Sequence, residues 1–241
     1  MNGKIAFVTG GTSGIGKEIV LELLERGCKV ITCYSTNSEN AQKLREEVNS
    51  DDLRIYQCDV SKEENVISVI KKIKEQFGAL DYLVNNAGTF IDSYIKDFSI
   101  EDFKKVLDTN LIGKVIVSKH AYSIMNEGGS IVNISSHLGV MPCTESAAYC
   151  SAAAAIINFT KASALEFADK KIRVNAICPA LTPTPLAIKG WTKEEIEEKL
   201  RETPLGRLAT TEDTAKLCLF LLSDEASFIT GENICINGGR M

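Results

Sequence analysis

"TGGTSGIG", residues 9–16, follows the apolar run "KIAFV" (4–8) and leads straight into "KEIVLELLERG" (17–27). A strand that turns through glycines into an amphipathic helix sets backbone N–H groups at the helix amino terminus. Such groups favour an anion, and the missing side chains let a pyrophosphate approach the backbone. The spacing departs from G-x-G-x-x-G, because Gly10, Gly14 and Gly16 give T-G-x-x-x-G-x-G. A glycine-rich turn by itself also serves ordinary tight turns. Its place after the first strand of a βαβ unit makes Gly10, Thr12, Ser13, Gly14, Ile15 and Gly16 candidate dinucleotide-binding residues.

The same rhythm runs outward from this turn. Strand patterns at "KVITCY", "LRIYQCDV", "LDYLVNNAG", "SIVNISS", "IRVNAICPA" and "GENICINGG" alternate with helical ones. The helices include "SENAQKLREEVNS" and "KEENVISVIKKIKEQFG", with Gly27 and Gly78 as terminating residues. "SIEDFKKVLDTNLIGKVIVSKHAYSIMNEG" (99–128) predicts one long helical stretch with a bend near Asn110. The alternation predicts an α/β fold: one doubly wound Rossmann domain over residues 1–241, with a mostly parallel seven-stranded sheet covered by helices on both faces. After Cys178 the rhythm breaks. Residues 179–207 hold four of the five prolines and the only tryptophan around a short charged helix, which predicts a substrate lid over about 180–207.

Composition excludes several functions. The 241 residues are 44% hydrophobic and 24% charged, with a net charge of −5, so there is no basic footprint of a nucleic-acid binder. No apolar run reaches the roughly 18 residues of a membrane span. "MNGKIAFVTGG" enters a strand pattern at once, leaving no room for a signal peptide, so a cytoplasmic protein is expected. The eight cysteines form no C-x-x-C pair and sit mostly in apolar runs, as buried reduced thiols do; with only His120 and His137, no metal site is expected.

The chain resembles the short-chain dehydrogenase/reductase family over essentially its whole length. The resemblance rests on an ordered set: "TGGTSGIG", Asp59-Val60, "NNAG" at 85–88, Asn110, "NISS" ending at Ser136, Tyr149 thirteen residues later, and "NAICPA". It implies that Asp59 holds the adenine amino group and Val60 flanks the ring. Asn86, Ala87 and Gly88 would lie along the cofactor, and Pro179, Thr182 and Thr184 would border the nicotinamide. It also implies hydride transfer between a nicotinamide and a carbonyl or secondary alcohol. Tyr149 would act as acid or base, Ser136 would orient the reacting oxygen, and Asn110 would kink its helix and hold a relay water.

The family pattern Tyr-x-x-x-Lys would place a lysine at 153, and this chain has Ala153. In the family that ammonium holds the nicotinamide ribose and lowers the tyrosine pKa. A free tyrosine titrates near ~10 and a nearby opposite charge shifts an acid by roughly 1–3 units. Lys161 lies twelve residues beyond Tyr149 on the same helix, roughly 18 Å away, and does not substitute. Two accounts fit: a Lys-to-Ala replacement made to silence an enzyme, or a natural relative that has lost ordinary catalysis. The first is favoured, because an idle site would be expected to have lost Ser136 or Asn110 as well.

The second strand ends "TCYSTNSEN" with no acid near Tyr34, Ser35 or Thr36 to select NAD through the ribose 2′-hydroxyl, so NADP(H) is slightly favoured over NAD(H). Among branches, the short chain and the "NGG" terminus look most like 3-oxoacyl-[acyl-carrier-protein] reductases. Glu127 has the wrong sign for an acidic carrier's docking patch, which Lys170 and Lys171 partly answer, and Ala180 replaces the family's glycine after Pro179. The expected partner is a small carbonyl or alcohol substrate, with a hydroxysteroid, sugar or other small-alcohol dehydrogenase as alternatives. A dinucleotide-binding subunit without turnover is the reading from another class. Small residues at 152–155 and 162–164, with the family habit of pairing this helix and the one around Asn110, imply a homodimer or homotetramer.

Overall fold

The strand runs are apolar almost without alternation because both of their faces are covered. In the computed structural model, which describes residues 1–188 and 192–240, they form β1 (Ile5–Thr9), β2 (Lys29–Tyr34), β3 (Leu53–Gln57), β4 (Leu80–Asn85), β5 (Met125–Ile134), β6 (Arg173–Pro179) and β7 (Asn233–Ile236). All seven pair in parallel in one sheet, in the order β3-β2-β1-β4-β5-β6-β7. The sheet is therefore wholly parallel rather than mostly so.

Helices α1 (Gly14–Glu25), α2 (Ser38–Val48) and α8 (Thr211–Leu222) bury Ile19, Val20, Leu23, Leu44, Leu219 and Leu222 on one face. On the other, α3 (Glu63–Phe77) and α5 (Gly113–Tyr122) bury Val66, Val69, Ile70, Ile73, Val117 and Ala121. The long α6 (Ala147–Glu166) lies on β6 and contributes Ala164 to this second core. Gly27 ends α1 as expected: at φ 77° its N–H bonds Leu24 O, while the N–H of Cys28 reaches back to Leu23 O. This is the paired closure of a Schellman motif.

The expected helical stretch over 99–128 is shorter and interrupted. Helix α4 (Ile100–Leu107) passes through one π turn (Asp108–Ile112) into α5, so the bend falls at Asn110. The chain is already a strand at Met125, and "MNEG" belongs to β5. Buried Asp81 is the cause. It accepts from Ile5 N (2.8 Å), Lys4 Nζ (3.0 Å) and Asn126 Nδ2 (3.0 Å), drawing Asn126 to the sheet where the β4–β5 register shifts between Leu80 and Tyr82.

Burial pushes the Asp81 carboxyl up, but the bonds from Ile5, Asn126 and Lys4 outweigh it and hold it below its ordinary 3.8. A depressed folded-state value gives stability that is present above the unfolded pKa and lost as pH falls through the folded one. Asp81→Ala should cost about 2–4 kcal/mol at pH 7. The loss should shrink as urea unfolding is repeated at pH values below 3.8. A pH-independent loss would refute the assignment.

The irregular segment after β6 contains a described helix, α7 (Lys193–Arg201), begun by a Thr192–Glu195 capping box. Glu202 bonds Arg240 at 2.6 Å, and Leu205 N–H donates to Gly238 O, so the far end of the expected lid is tied to the carboxyl-terminal segment. Residues 189–191 of that lid, Trp191 among them, lie outside the described residues. No described helix is long and apolar enough to cross a membrane, and no cluster of metal-ligating side chains occurs among the described residues.

Candidate active site

From β1 the chain proceeds to β2 and β3 on one side, then returns to β4 on the other. In a doubly wound sheet the crevice at the carboxyl ends of the strands opens at such a switch point. One cleft there gathers nearly all the expected residues. Gly10, Thr12, Ser13, Gly14 and Ile15 form one wall, and Tyr34, Ser35, Thr36, Asp59 and Val60 one end. Asn86, Ala87 and Gly88 cross the middle, and Asn110, Ser136, Tyr149 and Ala153 close the far end under Pro179, Thr182 and Thr184. Gly16 is the exception. It lies behind the wall, where an added Cβ would come 2.4 Å from Asn86 Nδ2 and 2.5 Å from Gly10 O.

That closeness shows how the turn is held. Asn86 Nδ2 donates to Thr9 O (3.0 Å) and Gly10 O (3.1 Å), while Thr9 Oγ1 accepts from the N–H groups of Asn86 and Ala87. Gly11 N–H donates to Thr32 Oγ1 at 3.0 Å. Ser13, the N-cap of α1, makes no side-chain capping bond, so the open N–H groups of the first turn suit a diphosphate. A Cβ on Gly14 would meet Thr184 Cγ2 at 3.3 Å, so the segment after β6 reaches the glycine turn. A bare-backbone cradle at a 12-residue helix, beside a long crevice, fits a dinucleotide.

At the reacting end, Ser136 follows β5 and is 7% exposed. Its Oγ accepts from Leu138 N–H at 3.1 Å and lies beside the Tyr149 phenol in the same cleft. Burial pushes that phenol above its ordinary value of 10, and the Ser136 hydroxyl beside it acts in the opposite direction. Phe90 packs its ring against Tyr149 edge-to-face, centroids 5.1 Å apart. The pair can therefore hold one oxygen between two hydroxyls, with the tyrosine protonated at neutral pH. Asn110 sits in the π turn with its amide committed to Thr89, accepting from its N–H (2.7 Å) and donating to its O (2.8 Å). A relay water at Asn110 would accordingly depend on the main chain.

A family profile described as enoyl-(acyl carrier protein) reductase matches residues 10–240. The chain belongs to the short-chain dehydrogenase/reductase family. It is 36% identical to the 3-oxoacyl-[acyl-carrier-protein] reductase FabG of Thermotoga maritima, across 99% of this chain and 98% of that protein. It is 37% identical to an acetoacetyl-CoA reductase of Shinella zoogloeoides (98% and 98%) and 35% identical to an NAD-dependent glycerol dehydrogenase of Listeria innocua (98% and 93%). Short-chain dehydrogenase/reductases are NAD(P)-dependent oxidoreductases, and these relatives differ in the substrates their names give.

Two features of this family member concern charge. Ala153, 6% exposed, brings only a methyl group to the cleft. Its carbonyl accepts from Ser135 Oγ at 2.8 Å, and Gly139 is pressed so close that a Cβ there would meet Ala153 C at 2.7 Å. The sequence reading missed Lys114, which also lines the cleft and is 4% exposed. Its signal was available: it shares the spacing of Val117, Ser118 and Ala121, the buried stripe of α5.

Proposed function

We propose that the chain is one dinucleotide-binding domain that transfers a hydride between NADP(H) or NAD(H) and a ketone or secondary alcohol, with 3-oxoacyl esters as the first substrates to try. The observation that carries this reading is the Ser136–Tyr149 hydroxyl pair at the end of a cleft walled by the glycine-rich turn. Reduced nicotinamide supplies the hydride. Tyr149 donates a proton to the developing alkoxide, Ser136 orients that oxygen, and Phe90 shields the pair from water. Burial keeps Tyr149 protonated, which suits reduction better than oxidation.

Ala153 leaves the phenol without a neighbouring cation, so turnover is a trace of what the fold can support. Ala153 is also what favours the second reading, a dinucleotide-binding subunit without turnover. Consumption of reduced nicotinamide at high protein concentration, over a panel of 3-oxoacyl esters, simple ketones, sugars and steroids, separates them. Slow turnover abolished by Tyr149→Phe supports the reductase, and none supports the subunit. A small or coenzyme A-borne substrate is favoured over a carrier protein, because Lys171 is paired with Glu127 and Lys170 stacks on Tyr122 at 4.3 Å.

NADP(H) remains the favoured cofactor. Ser35 and Thr36 are exposed at the end of β2, and the first acid after them in the sequence, Glu39, turns to Lys43 at 2.6 Å. Calorimetric titration should give NADPH the tighter binding. A tenfold preference for NADH, about 1.4 kcal/mol, would overturn this assignment.

A homodimer or homotetramer is proposed through α6, whose outer face exposes Ser151, Ala154, Asn158, Ala162 and Leu165. These small side chains permit close helix approach, and Leu165 is 81% exposed. Light scattering at micromolar concentration should show at least a dimer, and a monomer would refute it.

A further inference from the structure

Lys114 is the only lysine or arginine among the buried polar residues described, and it stands on the sheet-facing side of α5. Its Nζ donates to Ala87 O at 2.7 Å and to Asn85 O at 3.1 Å. Both acceptors are neutral carbonyls, and none of the described ion pairs involves this side chain. Burying an ammonium without a counter-ion is costly, and a brace between two carbonyls needs only a neutral donor.

The place of the head group shows what it faces. Ala87 packs on the glycine-rich turn, where a Cβ at Gly10 would come 3.0 Å from Ala87 Cα. Gly113, one residue before Lys114, packs as closely on Val60, with 2.7 Å from an added Cβ to Val60 Cγ2. Lys114 thus enters the cleft between the Val60 end and the phosphate cradle.

We propose that Lys114 is a cofactor-binding residue that donates its third N–H to an oxygen of the adenosine diphosphate half of the dinucleotide. The inference rests on the dinucleotide reading above. As a neutral amine, Lys114 has two N–H groups, which Ala87 O and Asn85 O satisfy. A third appears only with the proton, so a bound anion or ribose hydroxyl selects the ammonium.

Burial alone lowers the Lys114 pKa to about 7. The titratable groups on the elements around it do not alter this value: Asp108 on the π turn, Cys58 and Asp59 after β3, Glu63 on α3, Lys119 and His120 on α5, and Tyr149 on α6. Glu63 is taken up by Lys119 and His120. Binding should therefore draw a proton from solution, and affinity should fall as pH rises above about 7.

The test is calorimetric titration of the full chain and of Lys114→Met with NADH, ADP-ribose and reduced nicotinamide mononucleotide, in buffers of different ionisation enthalpy. The unsubstituted chain should take up roughly three-quarters of a proton per NADH at pH 7.5. Lys114→Met should take up none and bind NADH and ADP-ribose about ten- to a hundredfold more weakly. Its affinity for the mononucleotide should not change. A structural brace would instead change thermal stability while leaving affinity and proton uptake alike, and would overturn the proposal. So would an effect confined to the mononucleotide. Proton uptake by the unsubstituted chain needs no variant, so its absence counts against the proposal even if Lys114→Met does not fold. Failure of the unsubstituted chain to bind any of the three ligands, or NADPH, would instead remove the dinucleotide reading itself.

Discussion

Ala153→Lys should raise turnover of a 3-oxoacyl ester or simple ketone at neutral pH by at least two decades. Positioned acid–base assistance is worth about 10²–10⁴ in rate, and the parts that such a lysine would serve are in place. Tyr149 and Ser136 line one cleft, and residue 153 borders it. Gly139 offers no side chain to obstruct position 153. The change should also appear in the pH profile. Burial holds the phenol above 10 in this chain, so alcohol oxidation should climb only at high pH. A cation at 153 should move that limb down by roughly 1–3 units. Steady-state rates in both directions, measured from neutral to alkaline pH, decide the matter. A folded, cofactor-binding Ala153→Lys protein that reduces nothing across a broad carbonyl panel would leave the binding-subunit reading.

Gly16→Val should weaken dinucleotide binding on the order of a hundredfold, although Gly16 does not line the cleft. The added Cβ alone would overlap Asn86 Nδ2 at 2.4 Å and Gly10 O at 2.5 Å. Asn86 is the side chain that ties the glycine-rich turn to the end of β4, through Thr9 O and Gly10 O. Displacing it would release both walls of the cradle together. Titration with NADPH, with circular dichroism to establish that the helices persist, checks this. A folded variant with unchanged affinity would show that the cradle does not depend on the Asn86 brace.

Much of this architecture is legible in the one-dimensional pattern, because strands buried on both faces must be apolar and helices between them must be amphipathic. The β1–turn–α1 unit, the ends at Gly27 and Gly78, and the bend at Asn110 could all be read from local residue types. The start of β5 could not. "YSIMNEG" has helical spacing, and what turns it into strand is Asp81, 45 residues earlier than Asn126, through a buried hydrogen bond.

The candidate site divides along the same line. The family resemblance implies roles for Gly10, Asp59, Asn86, Ser136 and Tyr149, and sets Ala153 where its pattern has a lysine. Lys114 reads locally as an ordinary helix residue one turn after Asn110. Whether its ammonium reaches solvent or a cleft depends on how α5 rotates against β4, a relation set by Val117, Ser118 and Ala121 packing on the sheet. Sequence alone determined the order of strands and helices and the glycine-rich turn, since each follows from short-range sterics and periodicity. Tertiary structure decided which buried donors face the cleft and which groups are spent on other partners, because burial and hydrogen bonding between distant segments exist only once the sheet and its helices have packed.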